Sequence, residues 1–314
     1  MVNEYSAAVV GMGRVGSRHV QSLLSDENCH AVTCVDIRRS ALDDLMNLGS
    51  DVRQAFTRKG HYSDSLDSSE SEPDIIILAV SSAERGPIFE SLRRHFKPEF
   101  WILEKYLAEN EQSLGHYYET VLPFDNVYVN LPMRTWEPWS EFYHAVAKVG
   151  PEDITIDGAG YGLATNLVHY LDIFSWCKSA VVTSIEYSDD PFWFESKRPG
   201  YDELYGSIRA ELSDGSSIEM TDRRPNGPSG TELEIKSPSW CLSEALGRVS
   251  GRIEMTVGSK PHQSELTSLW TRRLLNGERL ELPLIREIMP LERKIHRSLS
   301  KPPGAEHLQP RKIS

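Results

Sequence analysis

Three groups of residues have types and spacings suited to chemistry. The first is GMGRVG, where Gly11, Gly13 and Gly16 follow G-x-G-x-x-G with Arg14 and Val15 between them. The first glycine permits a tight turn, the second lets a pyrophosphate reach the backbone, and the third lets helix and strand pack closely. Asp36 lies twenty residues beyond Gly16, where an acid accepts hydrogen bonds from a ribose 2′-hydroxyl, and Ile37 and Arg38 follow it. The second group is Glu104-Lys105, which ends the apolar run FWIL; Ala79 and Ser81 close the neighbouring run IIILAV. The third is Thr165, Asn166, His169 and Asp172. Their spacing places all four, with Ile173, in one helical arc of about 120°. His169 and Asp172 are three apart, so an imidazole and a carboxylate can meet there for acid–base work. The same pair would serve equally as a hydrogen-bonded strut.

These residues need elements to hold them. A short apolar strand precedes the glycines and a helix over about Arg14–Leu24 follows, so the helix N-terminus faces the phosphate position. The pattern then predicts a strand at Ala31–Val35, a helix at Ala41–Leu48, an acidic serine-rich surface loop over 62–73 and a buried strand at Ile75–Val80. A helix at Arg85–His95, a strand at Phe100–Leu103, a helix at Glu109–Val121 and a strand at Val127–Asn130 complete the series. Strands and helices alternating in this way form a doubly wound parallel sheet, with ligands at the strand carboxyl ends. Lys105, Ser81 and Ser82 fall at such ends.

After residue 130 the texture changes. Pro132, Trp136, Pro138 and Trp139 suggest a crossing segment, Ile154–Ile156 a short strand and Tyr161–Cys177 a helix. Strands follow at Val181–Tyr187, Ser207–Leu212, Ser217–Thr221, Glu232–Ile235 and Arg252–Met255, with Asp214-Gly215 as a hairpin turn. Pro290–Leu299 reads as a helix. The fold class is therefore α/β plus α+β. Residues 1–125 form a dinucleotide-binding doubly wound domain, 126–300 a substrate domain on a mostly antiparallel open sheet, and 301–314 a loose tail. An open antiparallel sheet commonly buries its free face against another copy, so a homodimer or homotetramer through this sheet is expected.

The 314 residues are 39% apolar and 25% charged, with a net charge of −12. No apolar run approaches the roughly eighteen residues of a membrane helix. The acidic balance argues against a nucleic-acid surface. The N-terminus lacks a basic signal region, and four sparse cysteines suit a reducing cytoplasm. No Cys/His spacing predicts a metal site, and neither a P-loop nor G-x-S-x-G occurs. Asp36 favours NAD, because its charge repels a 2′-phosphate; Arg38 and Arg39 would suit that phosphate, so NADP stays open. Lys197 and Arg198, amid the aromatics Phe192–Tyr201, are candidates to meet an anionic substrate group, as are Arg223 and Arg224.

The fingerprint with His19 (GMGRVGSRH), Glu-Lys at the fifth strand end, the strand Val127-Tyr128-Val129-Asn130 and N-x-x-H-x-x-D on a second-domain helix together resemble the glucose–fructose oxidoreductase/inositol dehydrogenase (Gfo/Idh/MocA) family. The likeness runs motif by motif over residues 6–180. It implies a Rossmann domain and NAD(P)-dependent hydride transfer to or from a sugar-like alcohol. Lys105 and His169 would be the catalytic pair, with Asp172 as partner acid and Asn130, Thr165 and Asn166 toward the substrate. The sequence departs from the family at Thr165, which replaces the usual Asp, at Tyr106, which replaces the proline after Glu-Lys, and at Ser81–Glu84. Those departures keep two other readings in view: a regulator that senses dinucleotide without turnover, and a lyase using tightly held NAD.

Overall fold

A computed structural model describes residues 4–66, 72–115, 125–137, 139–225, 233–243, 247–300 and 312–313. The chain divides into two compact units. The first comprises Met1–Ala108, His116–Asn130 and Pro261–Arg286; the second comprises Glu109–Gly115, Leu131–Lys260 and Glu287–Ser314.

The first unit is built on six strands: β1 (Tyr5–Val10), β2 (Cys29–Val35), β3 (Gly60–Ser63), β4 (Ile75–Leu78), β5 (Phe100–Leu103) and β6 (Val127–Val129). They lie in the order β3-β2-β1-β4-β5-β6, all parallel. β1, β4 and β5 are buried throughout, as continuous apolar runs require when both faces of a parallel sheet are covered. Helices α1 (Arg14–Ser25), α2 (Ser40–Met46), α3 (Ser50–Lys59) and α4 (Ser82–Leu92) make the crossovers. The strand order turns back between β1 and β4, which is the switch point where such sheets bind ligands.

The second unit has α5 (Trp139–Ala147) and α6 (Leu163–Lys178). Its strands are β7 (Asp153–Ala159), β8 (Val182–Tyr187), β9 (Phe192–Glu195), β10 (Asp202–Leu212), β11 (Ser217–Arg223), β12 (Leu233–Lys236), β13 (Trp240–Ser243), β14 (Arg248–Gly251) and β15 (Met255–Thr256). The order is β15-β14-β13-β12-β7-β11-β10-β8, with β9 paired to β10. Pairing is antiparallel except between β7 and β11. Phe142 and Phe174 pack on Trp240 at ring separations of 5.1 and 6.5 Å, joining both helices to the sheet.

Several elements differ from expectation. Trp139–Ala147 is a helix, because Trp139, Phe142, Tyr143 and Val146 recur at helical spacing and are buried. Gln263–Leu275 (α7) is a helix of the first unit, entered through a hydrogen bond from the His262 N–H to the Glu265 carboxylate at 2.7 Å. The expected loop over 62–73 begins inside β3, and 67–71 lie outside the described residues. The expected strand Arg252–Met255 is replaced by β14 and β15. The last helix, α8 (Ile285–Leu299), starts one turn before Pro290 and contains it. Residues 111–115 are helical, while 116–124 and most of the expected tail lie outside the described residues.

Candidate active site

In the first unit the candidate residues lie along the carboxyl edge of the parallel sheet. Gly11 has φ +90, and a side chain there would press on the backbone of Ala79 and Val80 at 2.7–2.8 Å. At Gly16 a Cβ would fall inside the carbonyl of Gly11, so α1 can pack this closely only on glycine. Gly13 is different: a Cβ there would meet nothing within 4 Å. Gly13 is also the N-cap of α1 and gives it no side-chain cap, leaving the first N–H groups for an external anion. Arg14 and Val15 are exposed on this first turn, and Ser81 opens α4 with its hydroxyl on Glu84 at 2.7 Å.

Asp36 follows β2. Its carboxylate accepts the Met12 N–H at 2.9 Å and the Arg38 N–H at 2.8 Å, with the Arg38 guanidinium at 3.3 Å. Burial opposes the charge, but these donors outweigh it and hold the carboxyl below its ordinary range. Ile37 beside it is 85% exposed.

Glu104 and Lys105 follow β5. Glu104 is buried, takes a hydrogen bond from the Asn130 amide and lies 2.9 Å from His19 Nε2. The other His19 nitrogen is 2.8 Å from the Thr267 hydroxyl, and Gln263 joins Asn130 at 3.0 Å and Thr267 at 3.0 Å. Burial pushes the Glu104 carboxyl up, yet the bonds from His19 and Asn130, with the nearby charge of Arg85, bring it below its usual value. Arg85 of α4 is itself buried and donates to the carbonyls of Val80 and Tyr106, tying together the chain just past β4 and β5. The peptide between Lys105 and Tyr106 is cis. Lys105 is half-buried with its ammonium 5.5 Å from the Tyr106 ring centre.

In the second unit the candidate residues lie on α6. Its entry is held by two buried carboxylates: Asp222 accepts N–H bonds from Gly160, Tyr161 and Gly162, and Glu203 accepts those of Ala164 and Thr165. Burial raises the Asp222 carboxyl against the pull of those N–H groups. Thr165, Asn166 and His169 are half-buried along the first turns.

Three expectations are corrected. Asp172 is 2% exposed and both its oxygens face Arg134, at 2.5 and 3.0 Å, so it serves that buried guanidinium and not His169. Burial pushes its carboxyl up against the opposing charge of Arg134. Glu104, expected toward the cofactor, and Asn130, expected toward substrate, are buried against each other, the Asn130 amide N–H groups going to Glu104 and Gln263 and Glu104 Oε1 also facing His19. Asn166 donates its amide to the carbonyls of Tyr161 and Gly162 at 2.6 and 3.0 Å. Lys197 and Arg198 are exposed in the β9–β10 turn, with the Arg198 guanidinium 4.8 Å from the Tyr201 ring centre.

Arg85, Gln263, Thr267, Arg134, Glu203 and Asp222 were not anticipated from sequence. The i, i+4 pair Gln263 and Thr267 on a helix with Leu266 and Trp270 was a usable signal. A buried arginine such as Arg85 has no sequence mark separating it from a solvated one.

No protein-family model and no curated protein sequence matches the chain. Solved structures do. UDP-N-acetylglucosamine 3-dehydrogenase GnnA from Acidithiobacillus ferrooxidans is 11% identical, covering 95% of this chain and 98% of its own with a TM-score of 0.66. Scyllo-inositol dehydrogenase from Lactobacillus casei, solved with NAD(H) and scyllo-inositol, is 14% identical over 95% of both chains at 0.64. An oxidoreductase from Agrobacterium radiobacter, in complex with NAD+, L-tartaric acid and magnesium, is 14% identical over 93% of both at 0.66. At these identities the likeness establishes a shared fold.

Proposed function

We propose that this protein is an NAD-dependent oxidoreductase that moves hydride between the nicotinamide and a secondary alcohol or ketone of a sugar or sugar derivative. The observation that carries this reading is the placement of the Gly11–Gly16 cradle, Asp36 and Lys105 along one carboxyl edge of a single parallel sheet. The residues fit a dinucleotide: open space at Gly13, uncapped N–H groups at the start of α1, an ionised carboxylate at the ribose position and exposed Ile37 for the adenine face. NAD is preferred over NADP because a 2′-phosphate would face the Asp36 charge, and the Arg38 guanidinium is already turned onto that carboxylate. Solved proteins of this fold that act on inositol or an amino sugar with NAD(H) support the substrate class.

NAD, when bound, supplies the hydride acceptor. Lys105 is assigned to hold the reacting hydroxyl and, as the neutral amine, to take its proton and become the ammonium, since a carbon that loses hydride must shed the proton on its oxygen. The locked Glu104 fixes the backbone that presents this lysine. His169 assists as acid–base or sugar-orienting group from α6, with Thr165 beside it. Four thiols, none in a disulfide, fit a reducing cytoplasm.

The test is nicotinamide fluorescence with NAD or NADP and a panel of free sugars, sugar phosphates and nucleotide-linked sugars, with Lys105→Ala in parallel. Reduction with one sugar class, lost in the variant, is expected. Nucleotide binding with no turnover on the panel would move the assignment to a dinucleotide sensor. NAD retained through dialysis without net reduction would move it to the lyase.

A further inference from the structure

Arg85 is a buried cation that the chemistry above leaves without a task. It stands in the first turn of α4, 2% exposed, and its planar fork donates twice: Nη1 to the carbonyl of Tyr106 and Nη2 to that of Val80 at 2.5 Å. These carbonyls follow neighbouring strands. β4 and β5 pair as far as Leu78 and Leu103, and the Glu104 N–H adds a rung to the Leu78 carbonyl at 3.0 Å. Past that rung the two chains leave the sheet, and the guanidinium spans them. Each end of the span belongs to the candidate site. Val80 floors the first glycine turn: a Cβ on Gly11 would lie 2.7 Å from its N and 2.8 Å from its Cγ1. Ala79 beside it donates its N–H to the Val10 carbonyl at 2.8 Å. Tyr106 is fully buried and follows Lys105, whose ammonium sits 5.5 Å from its ring centre. Ser81–Glu84 and Tyr106, two of the places where the sequence leaves the family pattern, adjoin these same ends.

A guanidinium taken out of water is costly unless its donors are met, and here they are spent on two backbone carbonyls. Its five N–H groups are fixed in one plane, so two carbonyls held by one fork keep a set spacing. A displacement of the lysine-bearing chain is therefore resisted by the chain that floors the glycine turn. Hydride and proton transfer need that spacing, because a misplacement of about 1 Å costs on the order of 100-fold in rate. A lysine at this position would carry the same charge but concentrate its donors at one point on a flexible stem. We infer that Arg85 is a positioning residue for hydride transfer, its guanidinium setting where Lys105 stands relative to the Gly11–Gly16 cradle. The inference rests on the proposed oxidoreductase reading.

The test compares Arg85→Lys and Arg85→Gln with the parent, each as the full chain. NAD affinity is measured by calorimetry, backbone order by amide deuterium exchange, and turnover with the sugar that reduces NAD on the panel above. Both variants are expected to bind NAD as the parent does, since neither touches the glycines or Asp36. Exchange should quicken over residues 104–108 and stay unchanged over Tyr5–Val10. The kcat should fall about 100-fold in both, with KM for the sugar little altered. A shared defect is the mark of the bridge, because Arg85→Lys keeps the charge and loses the fork. Parent-level kcat in Arg85→Lys with a loss in Arg85→Gln overturns the bridge in favour of the charge alone. Unchanged kcat in both variants, or unchanged exchange over 104–108, overturns it as well. Loss of NAD binding in Arg85→Lys, or faster exchange throughout the first unit, overturns it by making Arg85 a strut of the fold. A parent that reduces NAD with no sugar overturns the oxidoreductase reading and this role with it, while exchange over 104–108 reads the bridge separately.

Discussion

At the scale of single residues, the notable economy is that Glu104 works on its neighbours and Lys105 on the ligand. Glu104 is buried and takes hydrogen bonds from groups that arrive on α1 and β6, and through them from α7. Its carboxyl lies below its ordinary 4.5. A carboxylate whose folded value is depressed stabilises the native state fully above the unfolded value, and that stability is lost as pH falls through the folded one. Glu104→Gln is therefore expected to lose about 1.5–3 kcal/mol near pH 7, the worth of bonds to a charged group. The difference from the parent protein should shrink below pH 4. Denaturant midpoints for both proteins at pH 7 and pH 3.5 measure this; an unchanged gap at the two pH values would remove Glu104 as the titrating member. Asp172 illustrates the opposite outcome at this scale. Helical spacing places it near His169, but spacing cannot register Arg134, thirty-eight positions earlier, which takes both its oxygens.

At the scale of elements, the strand–turn–helix around GMGRVG separates two uses of glycine. Gly16 serves packing, since any side chain there collides with the Gly11 carbonyl, whereas Gly13 borders open space on the phosphate side. Gly16→Ala is expected to destabilise the first unit by about 3 kcal/mol or prevent folding, as overpacking against backbone does. Gly13→Ala should fold with little loss, because its φ of −67 suits alanine, yet bind NAD at least about 10-fold more weakly. Thermal melts with and without NAD distinguish the two; equal NAD affinity in Gly13→Ala would show that no phosphate approaches there. This motif, the alternating strands and Lys105 at the end of β5 were legible in the sequence because each is local: a run, a spacing, a turn. The closing of the first unit by Gln263–Leu275 was not, because its partners His19 and Ser22 lie about 245 positions away and nothing in the intervening chain signals the return. Glu203 and Asp222 were hidden for the same reason, as strand acids whose task is to hold a helix entry formed some forty to sixty residues earlier.

At the scale of the whole molecule, the open face of the nine-stranded sheet governs association. Register places Glu186, Arg209, Glu219, Thr155 and Lys236 in one row across five strands, and Ser207, Thr221, Asp157 and Glu234 in the next. Arg209 is paired with Glu211 at 2.7 Å and with Asp153 at 3.3 Å; Arg223 meets Asp157, and Lys236 meets Glu234 at 2.8 Å. This face, through which a homodimer or homotetramer was expected, is polar and charged. Homodimer interfaces are about 65% apolar and depleted of charge at their centre. Covering this face with a second copy would desolvate several ions already satisfied within the chain, a cost that their mutual attraction does not recover. Exposed pairs of this kind add little to stability, so their effect is to keep the face wetted. With a net charge of −12 also opposing self-association, light scattering at micromolar concentration is expected to give the mass of one chain, unchanged between 50 and 500 mM salt. A dimer that persists at both salt concentrations and dissociates in Arg209→Glu would place the contact on this face after all. One that ignores Arg209→Glu would place it on another surface of the molecule.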